Sequence, residues 1–156
     1  MLKVFVECAY NIPKTKLGKP DPIVTVSFRG EKKKTRSIDN ELNPVWKELL
    51  EFDLKGIPLD FSSSLDIIVK DFETIGKDKL IGSTTISLKE FAGGAGRSLP
   101  FKGLALMSDK GQPTGASIDL MVSYEPPVSP NSNPSDPGGT NVPTEAGIHY
   151  CILNSK

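Results

Sequence analysis

Ser64-Leu-Asp-Ile-Ile-Val-Lys-Asp-Phe-Glu-Thr-Ile-Gly-Lys-Asp-Lys-Leu-Ile-Gly-Ser-Thr-Thr-Ile-Ser-Leu88 decides the fold. It holds two short runs rich in Ile, Val and Thr, Ser64 to Asp71 and Leu80 to Leu88, around a polar loop. Runs of this length, bounded by turn residues and lacking a helical period, read as β-strands. The same pattern extends outward in both directions. Leu2, Val4 and Val6 alternate with Lys3, Phe5 and Glu7. Ile23 to Phe28 is a second run, and Lys33 to Ile38 is a more polar, edge-like one. Trp46 to Leu54, Leu99 to Leu106 and Ala116 to Tyr124 complete a set of eight. Turn clusters separate them at Gly18-Lys19-Pro20, Arg29-Gly30, Asn43-Pro44, Gly56-Ile57-Pro58, Ala92 to Gly96 and Lys110-Gly111. The expectation is an all-β, eight-stranded antiparallel sandwich, with one helical turn at Leu88 to Phe91. Such a fold gathers its loops at two ends, where a site can be built without disturbing the core.

The chain has 156 residues, enough for one domain with a real core. Strand signals fill residues 1–125. Residues 126–156 read as a disordered, Pro-rich linker and tail, because six prolines with Ser, Asn and Gly cannot bury enough surface to offset chain entropy. The apolar cluster near its end (Ile148, Tyr150, Ile152, Leu153) carries no assigned role, and Cys151 is too far from the end for a prenylation box. Cys8 and Cys151 cannot make a disulfide scaffold. No apolar run approaches the ~20 residues of a membrane-spanning helix, and residues 1–8 do not form a signal peptide. A soluble, cytosolic chain is the class these exclusions leave.

Charge balances at 19 basic and 19 acidic residues, which argues against a nucleic-acid partner. Its distribution does not balance. Lys14 to Arg36 holds eight basic and two acidic residues, while Ser37 to Phe91 holds eleven acidic and six basic ones. Anion-binding and cation-binding surfaces can therefore lie close together in the fold. Catalysis is poorly supplied. The single histidine, His149, is in the tail, so the folded part has no Ser-His-Asp or Cys-His arrangement. Gly93-Gly94-Ala95-Gly96 lacks the Lys-Ser/Thr of a phosphate loop. The expectation is that the chain is not an enzyme.

The carboxylates suggest another use. Asp21 ends the loop before the second strand. Asp71 and Glu73 are two residues apart at the end of the fifth, so both point to one side. Asp78 follows five residues on, and Asp39, Asn40 and Asn43 fill the turn between the third and fourth strands. Oxygen donors from several loops, without His or Cys, suit a hard cation such as Ca²⁺. Taken singly, each of these residues is also an ordinary turn former.

Three motifs carry a resemblance to a known family. Lys-Pro-Asp-Pro-Ile-Val-Thr-Val (residues 19–26) resembles the Ser-Asp-Pro-Tyr-Val segment of C2 domains. Asn43-Pro-Val-Trp46 with Glu51-Phe52 is similar to their Asn-Pro-x-Trp…Glu-x-Phe segment. Val69-Lys-Asp-Phe-Glu73 with Asp78-Lys-Leu-Ile-Gly82 is similar to their Val-x-Asp-x-Asp…Asp-x-x-Ile-Gly segment. Met1 to Glu7, Asp53 to Asp60 and Gly115 to Leu120 resemble more narrowly the first C2 domain of ferlins, large membrane-anchored proteins.

The resemblance implies Ca²⁺ as cofactor, held at one end of the sandwich. Asp21, Asp71 and Glu73 fall on the family's ligand positions, the last being Glu where Asp is usual. Thr15 and Lys79 stand where further carboxylates are usual, so one competent ion and a weak second are expected. Asn40, Asp78 and backbone carbonyls of Gly18 and Lys19 are the supplementary donors. The family also implies binding to anionic phospholipid, phosphatidylserine or phosphoinositides, at the cytoplasmic face of the plasma membrane or of vesicles, in membrane fusion and repair. Strand alternation puts Lys32, Lys34 and Arg36 on one face, with Lys33 on the other, as a basic lipid-binding surface. Leu17, Phe72 and Ile75 are the loop residues able to enter lipid. With one strand before the Asp21 loop, the expected topology is the permuted form called type II. The alternative is a calcium-independent C2 domain that binds protein partners.

Overall fold

The computed structural model describes residues 1–15 and 17–127; the tail expected beyond them lies outside the described residues. Eight antiparallel strands form: β1 Leu2–Tyr10, β2 Pro22–Phe28, β3 Glu31–Lys34, β4 Val45–Phe52, β5 Ser64–Asp71, β6 Lys79–Ser87, β7 Arg97–Met107 and β8 Pro113–Tyr124. The expected helical turn is a 3₁₀ turn at Lys89–Phe91 that buries Phe91. Hydrogen-bonded order is β3-β2-β5-β6-β7-β8-β1-β4. The two halves of this series, β3-β2-β5-β6 and β7-β8-β1-β4, are the layers of a β-sandwich. They are joined through a single registered pair, Ser83↔Met107. Beside that pair a Cβ on Gly82 would lie 2.9 Å from Leu106 Cβ, so only glycine lets the chains come this close.

Alternation builds the core. Leu2, Val4 and Val6 of β1 are fully buried, as are Val24 and Val26 of β2, Leu65, Ile67 and Val69 of β5, and Ile118 and Val122 of β8. Phe28 and Phe52 meet edge to face across the layers, and Phe91 and Tyr124 do the same at the end opposite the acidic loops. The Tyr124 hydroxyl accepts the Leu59 N–H, tying the Leu54–Ser63 loop to the end of β8.

β3 differs from the expected Lys33-to-Ile38 strand by starting earlier and stopping at Lys34. The reason is Thr35. Its own N–H donates to the Val24 carbonyl, but the Val24 N–H goes to the Thr35 side-chain Oγ1 at 3.0 Å rather than to a carbonyl. Oγ1 in turn donates to the Arg36 carbonyl, which turns the chain out of the sheet. β3 and β4 are the open edges of the two layers, and side chains tie them together: Lys33 Nζ lies 5.6 Å from the Phe52 ring centre, and Arg36 binds Glu48 at 3.1 Å.

Bulges set which residues share a face. Glu7 is unmatched against β8, between Val6↔Leu120 and Cys8↔Asp119. Ile81 is unmatched against β5, between Val69↔Gly82 and Lys70↔Leu80. Each inserts one residue and inverts the alternation beyond it.

Candidate cation site and basic face

The loops 11–21, 35–44 and 72–78 gather at one pole. Asp21 and Asp71 are brought together there because β2 and β5 pair with Pro22 opposite Asp71. The Asp21 N–H donates to Asp71 Oδ1 at 2.9 Å, and the Asp21 carbonyl accepts the Phe72 N–H at 2.9 Å. Asp21 Oδ1 accepts the Asn40 N–H at 2.8 Å, with Asn40 in the left-handed region at φ 51°. One carboxylate oxygen of each aspartate thus fixes a neighbouring loop, and each keeps a second oxygen. Both are half-buried. Asn40 therefore serves the site through its backbone.

The third loop is arranged around Glu73 and Asp78. The Glu73 N–H donates to Asp78 Oδ1 at 2.9 Å, so Asp78 closes the loop upon itself. The Glu73 carboxylate faces Lys79, with Oε1 and Nζ 4.0 Å apart. In the first loop the Gly18 carbonyl accepts both the N–H and the hydroxyl of Thr15, at 2.7 and 3.0 Å. Those two bonds, with Gly18 at φ 114°, make a tight local turn and occupy the oxygen expected to serve a cation. Lys19 follows, exposed, in the bend before Pro20. Leu17 and Ile75 protrude from the pole at 91 % and 90 % exposure, while Phe72 is only 38 % exposed.

Lys32 and Lys34 lie opposite Ser27 and Thr25 of β2, on the outer face of their layer. Lys70, which no sequence motif singles out, shares that face opposite Ile23. The opposite parity of Lys70 and buried Val69 is its only signal. Arg36 departs from the expectation. Both its guanidinium and its N–H bind Glu48 of the other layer, so it clasps the two edges instead of joining the lysines.

A second cluster has no counterpart among the sequence expectations. Glu7, Cys8 and Asp119 bring ligand atoms within 4.8 Å of one another. This cluster is internally satisfied. Asp119 accepts the Gly103 N–H at 2.7 Å and the Tyr10 hydroxyl at 3.2 Å, while Lys102 approaches Glu7 at 3.1 Å and Asp119 at 3.9 Å. Bonds to Cys8 and Asp119 push the Tyr10 hydroxyl's pKa up, and the bond to Glu7 raises that of Lys102. Its thiol is a soft ligand and Lys102 already supplies the cation, so the group joins the Glu7 bulge of β1 to the register shift of β7 between Phe101 and Leu104 and does not suit Ca²⁺. The all-oxygen set of Asp21 and Asp71 does.

A sandwich of this order, with aspartates from two loops meeting at one pole, defines a C2 domain, and the C2 family model matches residues 1–102. The chain belongs to that family. Within it the sequence is of the ferlin type, 65 % identical to myoferlin of Mus musculus over 143 residues and 64 % identical to human myoferlin over the same length. Those matches cover 92 % of this chain but only 7 % of the length of either myoferlin. Synaptotagmin-2 of Arabidopsis thaliana is 31 % identical over 88 % of this chain and 28 % of its own. Among solved structures, a C2 domain of plant extended synaptotagmin 1 has a TM-score of 0.64 at 24 % identity, covering 82 % of this chain and 95 % of that one. Human GIVD cytosolic phospholipase A2 has a TM-score of 0.61 at 22 % identity, over 81 % of this chain and 16 % of that one. These last two likenesses concern the fold. Among the described residues no helix is long and apolar enough to cross a membrane.

Proposed function

We propose that this domain is a non-catalytic module that binds anionic phospholipid with the help of Ca²⁺, at the cytoplasmic face of the plasma membrane or of vesicles, in a protein of membrane fusion or repair. The observation that carries this reading is the contact of Asp21 with Asp71, two half-buried aspartates brought together where the backbone N–H of Asp21 donates to Asp71 Oδ1 at 2.9 Å. Asp21 and Asp71 would hold the ion, with Glu73 as third carboxylate and the Lys19 carbonyl as a neutral donor. The ion supplies positive charge that turns a repulsive pole into a bridge to lipid phosphate. Leu17 and Ile75, almost wholly exposed at the same pole, supply apolar side chains to the membrane interface. Lys32, Lys34 and Lys70 add attraction to phosphatidylserine or phosphoinositide headgroups, on the order of 1 kcal/mol each near an anionic surface.

The test is vesicle cosedimentation with and without chelator, at low and physiological salt. Binding to phosphatidylserine or phosphoinositide vesicles should be strengthened by Ca²⁺, retain a salt-sensitive part without it, and be missing on neutral vesicles. Failure under all four conditions would leave calcium-independent protein binding as the better reading. One observation favours that second reading: an apolar row, Leu49↔Phe5↔Met121↔Pro100, crosses the outer face of the β7-β8-β1-β4 layer.

A further inference from the structure

The Ile81 bulge has a consequence at the pole. With unbroken alternation Asp71 would face Leu80. The extra residue instead sets Lys79 directly opposite Asp71. Side chains of directly opposed residues leave the sheet on the same side, so Lys79 emerges beside Asp71. Its ammonium reaches Glu73, 4.0 Å from Oε1. The tether of this cation is therefore at one carboxylate of the pole and its charge is at another. The bond from the Glu73 N–H to the Asp78 carboxylate holds the intervening loop closed, which keeps Glu73 near the start of β6.

We propose that Lys79 is a built-in cation that takes the place of a second calcium ion. Resting on the calcium reading given above, it assigns the pole a division of labour. Asp21 and Asp71 are the principal ligands of the exchangeable ion, and Glu73, the third carboxylate, has one oxygen compensated by a charge that never leaves. A lysine in this place has two effects of opposite sign. It relieves repulsion among Asp71, Glu73 and Asp78 when no ion is bound, so the loops keep their arrangement in chelator. It also repels an incoming divalent ion, which weakens calcium binding and limits it to one ion. The Lys79 side chain is 70 % exposed, so its replacement leaves the core untouched.

The experiment is calorimetric titration of the domain with CaCl₂, for the unaltered protein, Lys79→Met and Lys79→Asp, each first melted in chelator to establish folding. Lys79→Met should bind Ca²⁺ roughly five- to tenfold more tightly, the scale of one charge–charge contact near 4 Å when water screens it, as it does a 70 % exposed lysine. It should also melt at lower temperature in low-salt chelator, with the difference vanishing when Ca²⁺ is added. Lys79→Asp should raise the stoichiometry from one toward two. If the unaltered domain binds Ca²⁺ and both variants keep its affinity and stoichiometry, the role of Lys79 is overturned while the calcium reading stands. If none of the three binds, both are overturned. Binding by the variants alone would overturn the calcium reading for the unaltered domain and the one-ion limit with it.

Discussion

Asp71→Asn separates the two tasks that Asp71 performs. Its Oδ1 accepts the Asp21 N–H at 2.9 Å. Asparagine keeps an oxygen in that place, so the loop bond survives, whereas alanine would remove both the acceptor and the charge. In the absence of calcium the Asp71→Asn domain should therefore melt close to the unaltered one. Its response to calcium should not match. At a free Ca²⁺ concentration one hundred times Kd, an ion that binds only the folded state adds about 2.7 kcal/mol. For a folded unit of this size each kcal/mol moves Tm by roughly 3–5 °C, so the unaltered domain should gain about 10 °C. Losing one charged ligand costs about 2–3 kcal/mol of ion binding, close to a hundredfold in Kd. At the same Ca²⁺ concentration the variant is then only half-saturated, and its shift falls to roughly 1–2 °C. The assay is thermal unfolding in chelator and in Ca²⁺, at matched ionic strength. A full response of about 10 °C from Asp71→Asn, with unchanged stability in chelator, would refute Asp71 as a ligand and move the ion elsewhere.

Gly82→Ala places a Cβ 2.9 Å from Leu106 Cβ and 3.3 Å from the Met107 carbonyl, where the layers join; it should cost about 1–3 kcal/mol, read as a lower urea midpoint at constant m-value. Thr35→Val deprives the buried Val24 N–H of its acceptor and should also cost about 1–3 kcal/mol, while Thr35→Ser should recover most of the loss; equal stability of Val and Ser variants would contradict the role given to Oγ1. Replacing Lys32 and Lys34 together by Ala should weaken calcium-independent binding to phosphoinositide vesicles by roughly tenfold or more at low salt, with the Ca²⁺-induced thermal shift intact. Arg36→Ala should weaken that binding less than the pair does, because Glu48 already holds the guanidinium at 3.1 Å, and an effect as large as the pair's would return Arg36 to the lipid face.

Residue period alone makes most strands legible, because buried β-strands in a two-layer fold repeat every second residue. β5 matches its expected bounds of Ser64–Asp71, and β6 differs by one residue at each end. β3 departs from its expected bounds because a threonine hydroxyl substitutes for a backbone carbonyl, and the sequence has no sign for which threonine does so. The proximity of Asp21, Asp71 and Asn40 is legible as turn chemistry in three loops, strengthened by the C2 motifs. The partners of Arg36 and Lys79 are not. Arg36–Glu48 crosses from one layer to the other, and Lys79 opposite Asp71 depends on a bulged register. Neither is a local property of the chain. The same holds for the Glu7–Cys8–Asp119 group, which two further bulges assemble.

Pairing of β2 with β5 also explains how a chain of zero net charge can present two opposite fields. The basic segment ends in and around β2 and β3, and the acidic segment supplies β5. If the charges met side by side they would cancel. Antiparallel register instead places Pro22 opposite Asp71 and Ile23 opposite Lys70, consecutive positions whose side chains leave opposite faces. Acidic groups are thereby directed to the pole and basic ones to the outer face with Lys32 and Lys34. On the proposed reading, an anionic membrane is attracted by the lysine face at all times and repelled by the pole until an ion arrives. Two positive charges delivered next to Asp21 and Asp71 cancel the charge of that pair, so the pole no longer opposes the lysine face. The gain from calcium is then larger than the bridge to one phosphate, since it also removes the repulsion that kept Leu17 and Ile75 away from the lipid. Lys79 sets how negative the empty pole is, and hence how sharply binding depends on the ion.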